Sequence, residues 1–181
     1  MKTLDSGQIS YLEQLYLYSF PAEERRPWSE IIRPEQNYGP RLYGVEWQGK
    51  ICGLITLWTL SLSDASVNKG RYRSTVYIEH FAIDPSLRGG GVGSKVLEAV
   101  RKLDNMPIVF EIERDGEPDG MEVRRRRFYE RNGFVCLGYD YIQPSYAPGL
   151  PEVPLTLMSD KADIDPAAVD AALRKFVYKA V

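Results

Sequence analysis

Tyr77-Ile78-Glu79-His80-Phe81-Ala82-Ile83-Asp84-Pro85-Ser86-Leu87-Arg88-Gly89-Gly90-Gly91-Val92-Gly93-Ser94 is the stretch that decides the fold. Residues 75–83 are rich in β-formers and read as a strand, which Asp84-Pro85-Ser86 ends. After the glycines, Val92, Val96, Ala99, Val100 and Leu103 fall on one helical stripe. A strand therefore enters a glycine turn that opens a helix. The first amides of such a helix have no intrahelical acceptor, and the helix dipole adds partial positive charge. That is an anion site, suited to a phosphate, with glycines that admit close approach and Arg88 beside them. The order Gly93-Ser94-Lys95 excludes a Walker loop, and Ser94 and Val96 stand where GxGxxG would need glycine.

Upstream, Asp5 and Gln8 have the spacing of a capping box, and Ile9, Leu12, Leu15 and Tyr16 continue at helical spacing. This predicts a helix over 6–20, then a charged bend and a short helix over 28–32. Alternation over 41–47 and the apolar run 51–60, joined by Gln48-Gly49-Lys50, predict a hairpin; 61–73 reads as a loop. Downstream, 107–112 reads as a short apolar strand, 115–120 as a loop and 121–132 as a helix stopped by Gly133. Residues 134–143 and 153–158 read as strands, and Asp165-Pro166 caps a final helix over 165–179. Antiparallel strands leading into βαβ crossovers predict an α/β fold, a mixed sheet with helices on its faces.

Composition narrows the function. The chain has 181 residues, 23 Lys+Arg against 25 Asp+Glu, and a net charge of −2. A pI near 5.6 argues against sequence-independent nucleic-acid binding. Cys52 and Cys136 are the only cysteines, and His80 is the only histidine, which closes off disulfide frameworks, cysteine zinc sites and multi-His metal sites. No metal is expected. Met1 to Gln8 has no apolar leader, and 51–60 is too short to span a bilayer, so a cytoplasmic protein without membrane attachment is expected.

Arg88-x-x-Gly91-x-Gly93 resembles the motif with which the GNAT superfamily of N-acetyltransferases cradles the pyrophosphate of acetyl-CoA. Arg127-Phe128-Tyr129-Glu130-Arg131-Asn132-Gly133-Phe134 resembles that family's Tyr-x-x-x-Gly-Phe, which ends a helix before a strand. The resemblance covers about residues 8–158. It implies a mostly antiparallel mixed sheet flanked by helices, with a domain over 1–160 and an extra C-terminal helix over 161–181, packed on that domain or on a partner. It implies acetyl-CoA as co-substrate, held by Arg88, Gly89, Gly90, Gly91, Val92, Gly93 and Ser94 and by the backbone N–H groups of Phe81, Ala82 and Ile83 along the pantetheine. Two departures stand out. Glu122 and Arg125 replace the family's usual Asn and Ala, so Arg125 either reaches a CoA phosphate or pairs with Glu122.

The implied activity is direct acetyl transfer to a primary amine of a small molecule or peptide. An acyl-CoA-binding module of the same fold without turnover is the alternative. Tyr129 is then the acid for the departing thiolate, because a phenol is protonated at neutral pH. Glu79 is the candidate base, with His80 or water as alternatives. Strict alternation puts Glu79 with Tyr77, Phe81 and Ile83, opposite Ile78, His80 and Ala82. Glu79 reads equally as the partner of an arginine such as Arg71 or Arg73. Tyr139, Tyr141 and Gln143 share a face and read as either an acceptor wall or plain β-formers. Glu23 and Glu24 either attract a cationic acceptor or pair with Arg25 and Arg26. The four arginines 124–127 point around most of a helix and read as a solvated face. The final helix packs on its own domain or in a homodimer.

Overall fold

The structure is a computed structural model that describes residues 4–33, 39–63, 70–103, 105–118 and 120–179. Parts of the loops expected over 61–73 and 115–120, and residues 1–3, lie outside the described residues.

Helix α1 (Ser6–Ser19) starts with both halves of the capping box: Gln8 N–H donates to Asp5 Oδ1 at 2.8 Å and Asp5 N–H to Gln8 Oε1 at 3.0 Å. A bend carrying a short 3-10 turn (Ala22–Glu24) leads to α2 (Trp28–Ile31). Strands β1 (Arg41–Trp47) and β2 (Lys50–Ser61) form the expected hairpin, its turn closed by Gln48 and Gly49 at φ 50° and 78°. These are the two positive φ values that match the twist of the flanking strands. β3 (Ser74–Ile83) leads through the glycine turn into α3 (Val92–Leu103), and β4 (Ile108–Glu113) into α4 (Met121–Arg131).

The single strand expected over 134–143 is two pieces, β5 (Val135–Cys136) and β6 (Tyr141–Gln143). Gly138, at φ 62°, turns the chain between them, and both pieces pair with β7 (Val153–Ser159). The last helix, α5 (Pro166–Ala172), is capped by Asp165 and continues as a wider π-helical turn, Leu173–Tyr178.

The strands run β1-β2-β3-β4-β7-β5, with β6 also on β7. Every pairing is antiparallel except β3 with β4. This is the mixed, mostly antiparallel sheet that the sequence predicts. One face buries Ile55, Ile78, Phe110, Tyr129 and Phe134 together with Leu97 and Val100 of α3. The other face packs Trp58, Tyr77, Tyr141 and Leu157 against Val169, Leu173, Val177 and Tyr178 of the C-terminal helix. α1 and α2 cover Leu54 and Ala82 at the end of that face.

Candidate active site

Parallel pairing of β3 with β4 stops at Ile78 and Phe110. Beyond it, β3 holds on to β2 and β4 to β7, and the two strands part. A cavity of about 950 Å³ opens there, lined by residues of β3, β4, α4, the glycine turn and the bend after α1.

At one end lies the glycine turn. Gly89 and Gly91 adopt φ 83° and 77°, the left-handed region that side-chain-bearing residues avoid. Lys95 N–H is the amide that bonds back to Gly91, so the first-turn amides of α3 before it have no acceptor inside the helix. Gly93 serves packing: a Cβ there would meet Phe128 of α4 at 3.0 Å. Of the residues expected around the cofactor, Arg88, Gly89, Gly91, Val92, Gly93 and Ser94 line the cavity. Gly90 does not; its N–H closes the turn on Leu87 O at 3.4 Å. Arg88 is exposed, and its Nε donates to Ile83 O.

The free edge of β3 offers two of the three amides expected there. Asp84 N–H donates to Cys52 O, so in this antiparallel register Ala82, opposite Leu54, also turns its N–H towards β2. Phe81 and Ile83 present theirs to the parted edge, and Ala82 does not.

Glu79 is a bulge residue. The register steps from Thr56 opposite His80 to Leu57 opposite Ile78, which leaves Glu79 unmatched. The bulge switches the parity of β3. Tyr77 and His80 face the side of α1 and the C-terminal helix, while Ile78 and Phe81 face α3 and α4. The alternation expected from sequence, with Tyr77, Glu79, Phe81 and Ile83 together, therefore breaks at Glu79. Its side chain is fully buried. Arg26 Nε donates to its Oε1 at 2.8 Å, Trp58 Nε1 to its Oε2 at 2.8 Å and the Tyr146 hydroxyl to its Oε1 at 3.2 Å. The partner arginine is Arg26, not Arg71 or Arg73. Arg26 lies between the Trp58 and Tyr146 rings, 5.2 and 5.3 Å from their centroids, and also bonds Glu30 and Val177 O.

His80 is a buried, satisfied imidazole. Nε2 lies 3.0 Å from Glu24 O and Nδ1 lies 3.3 Å from Thr56 Oγ1, which fixes the proton on Nε2. Burial holds its pKa below the usual histidine range, against the pull of Glu79.

Glu111 is the residue that sequence reading passes over. It sits on β4 just past the last parallel pair and lines the cavity. The Tyr77 hydroxyl donates to its Oε2 at 2.5 Å, and the Tyr178 hydroxyl to Oε2 and Oε1 at 2.9 and 3.1 Å. Burial pushes its carboxyl up to about 7; the tyrosine hydroxyls pull it down and the Glu79 charge pushes it up further. A lone carboxylate between Phe110 and Ile112 in an apolar strand is the signal that could have found it.

Tyr129, on α4, is buried against Phe110 (ring centroids 4.3 Å apart) and lines the cavity. Among the described residues its hydroxyl has no hydrogen-bond partner. Burial pushes its phenol up to about 12, with the Arg125 guanidinium pulling it down. Arg125 pairs with Glu113 of β4, not with Glu122, and Arg126 pairs with Asp115 and Glu130. Arg124 and Arg125 also line the cavity, so the arginine run is only partly a solvated face.

On the far side, Ser19, Phe20, Glu24, His80, Gln143 and Tyr146 complete the wall. Gln143 is 3% exposed, and among the described residues neither its Nε2 nor Ser19 Oγ has a hydrogen-bond partner. Tyr139 points elsewhere, to Asp170, and Tyr141 is core. Arg26 bonds Glu79 and Glu30 rather than Glu23 or Glu24. Among the described residues no cluster of His, Cys, Asp or Glu can hold a metal, and no helix is long and apolar enough to cross a membrane.

A sequence model of the acetyltransferase (GNAT) domain matches residues 39–136. A solved protein of Bacteroides thetaiotaomicron assigned to the GNAT acetyltransferases is 30% identical, covering 99% of this chain and 98% of that one, with a TM-score of 0.78. YjbC of Bacillus subtilis, which carries an acetyltransferase assignment, is 32% identical over 63 residues, 35% of this chain and about a third (32%) of that protein's length. Arabidopsis thaliana NAA60, solved in complex with acetyl-CoA, shares the fold at 13% identity and a TM-score of 0.58, over 87% of this chain and 96% of its own. The split between β3 and β4, the glycine turn at its mouth and the matched residues lead to one conclusion: the chain belongs to the GNAT family of acetyltransferases.

Proposed function

We propose that this protein is an acetyl-CoA-dependent N-acetyltransferase that moves acetyl directly to a primary amine of a small molecule or peptide. The observation that carries this reading is one cavity lined both by the glycine-built start of α3 and by Glu111. The similarity to NAA60, which was solved with acetyl-CoA, supports the choice of donor. We place the reaction in the cytoplasm, a setting that suits the free Cys52 and Cys136.

The pyrophosphate sits on the amides of the α3 start, with Arg88 beside it. The pantetheine runs along the parted edge of β3, where Phe81 and Ile83 offer N–H groups. Glu111 takes the proton that an ammonium must shed. A carboxyl near 7 is well matched to an α-amino group at ~8 and poorly to an alkylamine at ~10. The amine nitrogen then bonds to the thioester carbonyl carbon and the C–S bond breaks. The second nitrogen proton, lost as the amide forms, balances the one the thiolate takes up.

Tyr129 changes role in this scheme. With its pKa at about 12 against a thiol's ~8.5, full proton transfer runs uphill by about 5 kcal/mol. It therefore acts as a hydrogen-bond donor to the departing sulfur. Glu79 also changes role. Three donors, one of them the Arg26 guanidinium, occupy its oxygens, so it holds Arg26 in place rather than acting as the base.

The test is thiol release from acetyl-CoA with a panel of α-amino peptides and alkylamines, in the native protein and Glu111→Gln. Turnover that prefers α-amines and falls by about 100-fold or more in the variant supports the reading. Acetyl-CoA binding with no turnover on any amine would favour the binding module instead.

A further inference from the structure

We propose that the C-terminal segment belongs to the catalytic apparatus, with Tyr178 as the positioning residue that aims Glu111 at the acceptor amine. This rests on the reading of Glu111 as the base.

The geometry is specific to this segment. α5 gives way to the wider π-helical turn Leu173–Tyr178, which Lys179 closes at φ 52° with its N–H on Arg174 O. Helix C-termini leave carbonyl oxygens without intrahelical N–H donors. Here Val177 O is taken by Arg26 Nη2 at 2.8 Å, so the segment's main chain is tied to the same guanidinium that holds Glu79. Tyr178 then lands 9% exposed, edge-on to Tyr146 with ring centroids 5.0 Å apart and its hydroxyl on Glu111.

The two shortest hydroxyl bonds converge on one oxygen. Tyr77 and Tyr178 reach Oε2 at 2.5 and 2.9 Å, and their hydroxyls lie 3.2 Å apart. Among the described residues Oε1 receives only the longer bond, 3.1 Å, from Tyr178, while the Tyr141 hydroxyl also pulls on this carboxylate. The pair therefore fixes the carboxylate through Oε2 and leaves Oε1 as the oxygen that accepts the amine's proton. The charged and titratable groups facing Glu111 are Tyr77 and Glu79 from β3, Tyr141 from β6, Tyr146 from the loop after it, and Tyr178. Burial pushes Tyr77, Tyr146 and Tyr178 well above the ordinary phenol range, so they remain donors throughout the working pH.

The test needs no acceptor. The full-length protein is labelled with 13C at glutamate side-chain carboxyls and titrated by NMR as native protein, Glu111→Gln and Tyr178→Phe. Tyr178→Phe keeps the ring and its packing and removes only the hydroxyl. The expected result is a carboxyl titrating near 7 that vanishes in Glu111→Gln and moves up by about one pH unit in Tyr178→Phe, because a donor to the charged form is lost. If that signal is present and absent in Glu111→Gln but stays in place in Tyr178→Phe, the positioning role is overturned and the base survives. If no carboxyl near 7 is lost in Glu111→Gln, the base itself is overturned and the role of Tyr178 with it. Should Tyr178→Phe unfold, Tyr77→Phe removes the other donor to Oε2; an unmoved signal there equally overturns fixation through that oxygen.

Discussion

Arg26 Nε donates to Glu79 Oε1 at 2.8 Å across 53 residues of sequence, with both side chains buried. One planar guanidinium also reaches Glu30 and Val177 O and lies against two aromatic rings. The bend after α1, the bulge in β3 and the end of the chain therefore meet at a single side chain.

Removing that side chain strands a buried carboxylate. Arg26→Met should cost about 3–5 kcal/mol, read as a fall in the urea midpoint. Arg26→Lys should recover only part of this, because an ammonium cannot reproduce the fork. Full recovery by lysine would show that charge alone matters.

Tyr129→Phe should lower kcat by about 10- to 100-fold, the worth of a hydrogen bond to a developing thiolate, and leave acetyl-CoA affinity nearly unchanged. Steady-state kinetics beside calorimetric titration separates the two. Unaltered kcat would remove Tyr129 from the mechanism.

Gln143→Leu should stabilise the free protein by about 1 kcal/mol, because it removes a buried Nε2 that has no partner among the described residues. The same change should raise KM for the acceptor several-fold with little change in kcat. A thermal melt and a KM measurement test both halves; a destabilised variant with normal KM would make Gln143 purely structural.

Glu111 should leave a mark on stability. Its folded pKa, about 7, lies above the ordinary 4.5, so the folded state binds its proton more tightly than the unfolded chain. That stabilisation is fully present below about pH 4.5 and is lost as pH rises through 7, roughly 3 kcal/mol in all. Glu111→Gln should therefore gain on the native protein by that order between pH 4.5 and 8, measured by denaturant unfolding at each pH. A constant difference across the range would contradict it.

Most of the architecture was legible in the sequence because its signals are local. The Asp5–Gln8 capping box, the Gln48-Gly49 turn and the left-handed glycines of the 88–93 turn each depend on neighbours a few residues away. The parity switch at Glu79 was not legible. It depends on β2, where Thr56 Oγ1 takes the His80 N–H at 2.9 Å beside the register step. Glu111 was hidden for the same reason: its environment is made by Tyr77, 34 residues away, and Tyr178, 67 residues away. The break at Gly138 was missed because 134–143 carries enough β-formers to read as one strand, although only a left-handed residue lets it turn.

The most direct test of the account is calorimetric titration of acetyl-CoA into the native protein, Gly91→Val and Glu111→Gln. Gly91, at φ 77°, and Glu111 both line the cavity. The account predicts saturable one-site binding that is lost in Gly91→Val and kept in Glu111→Gln. No binding to the native protein, or binding that survives Gly91→Val and vanishes in Glu111→Gln, would contradict it.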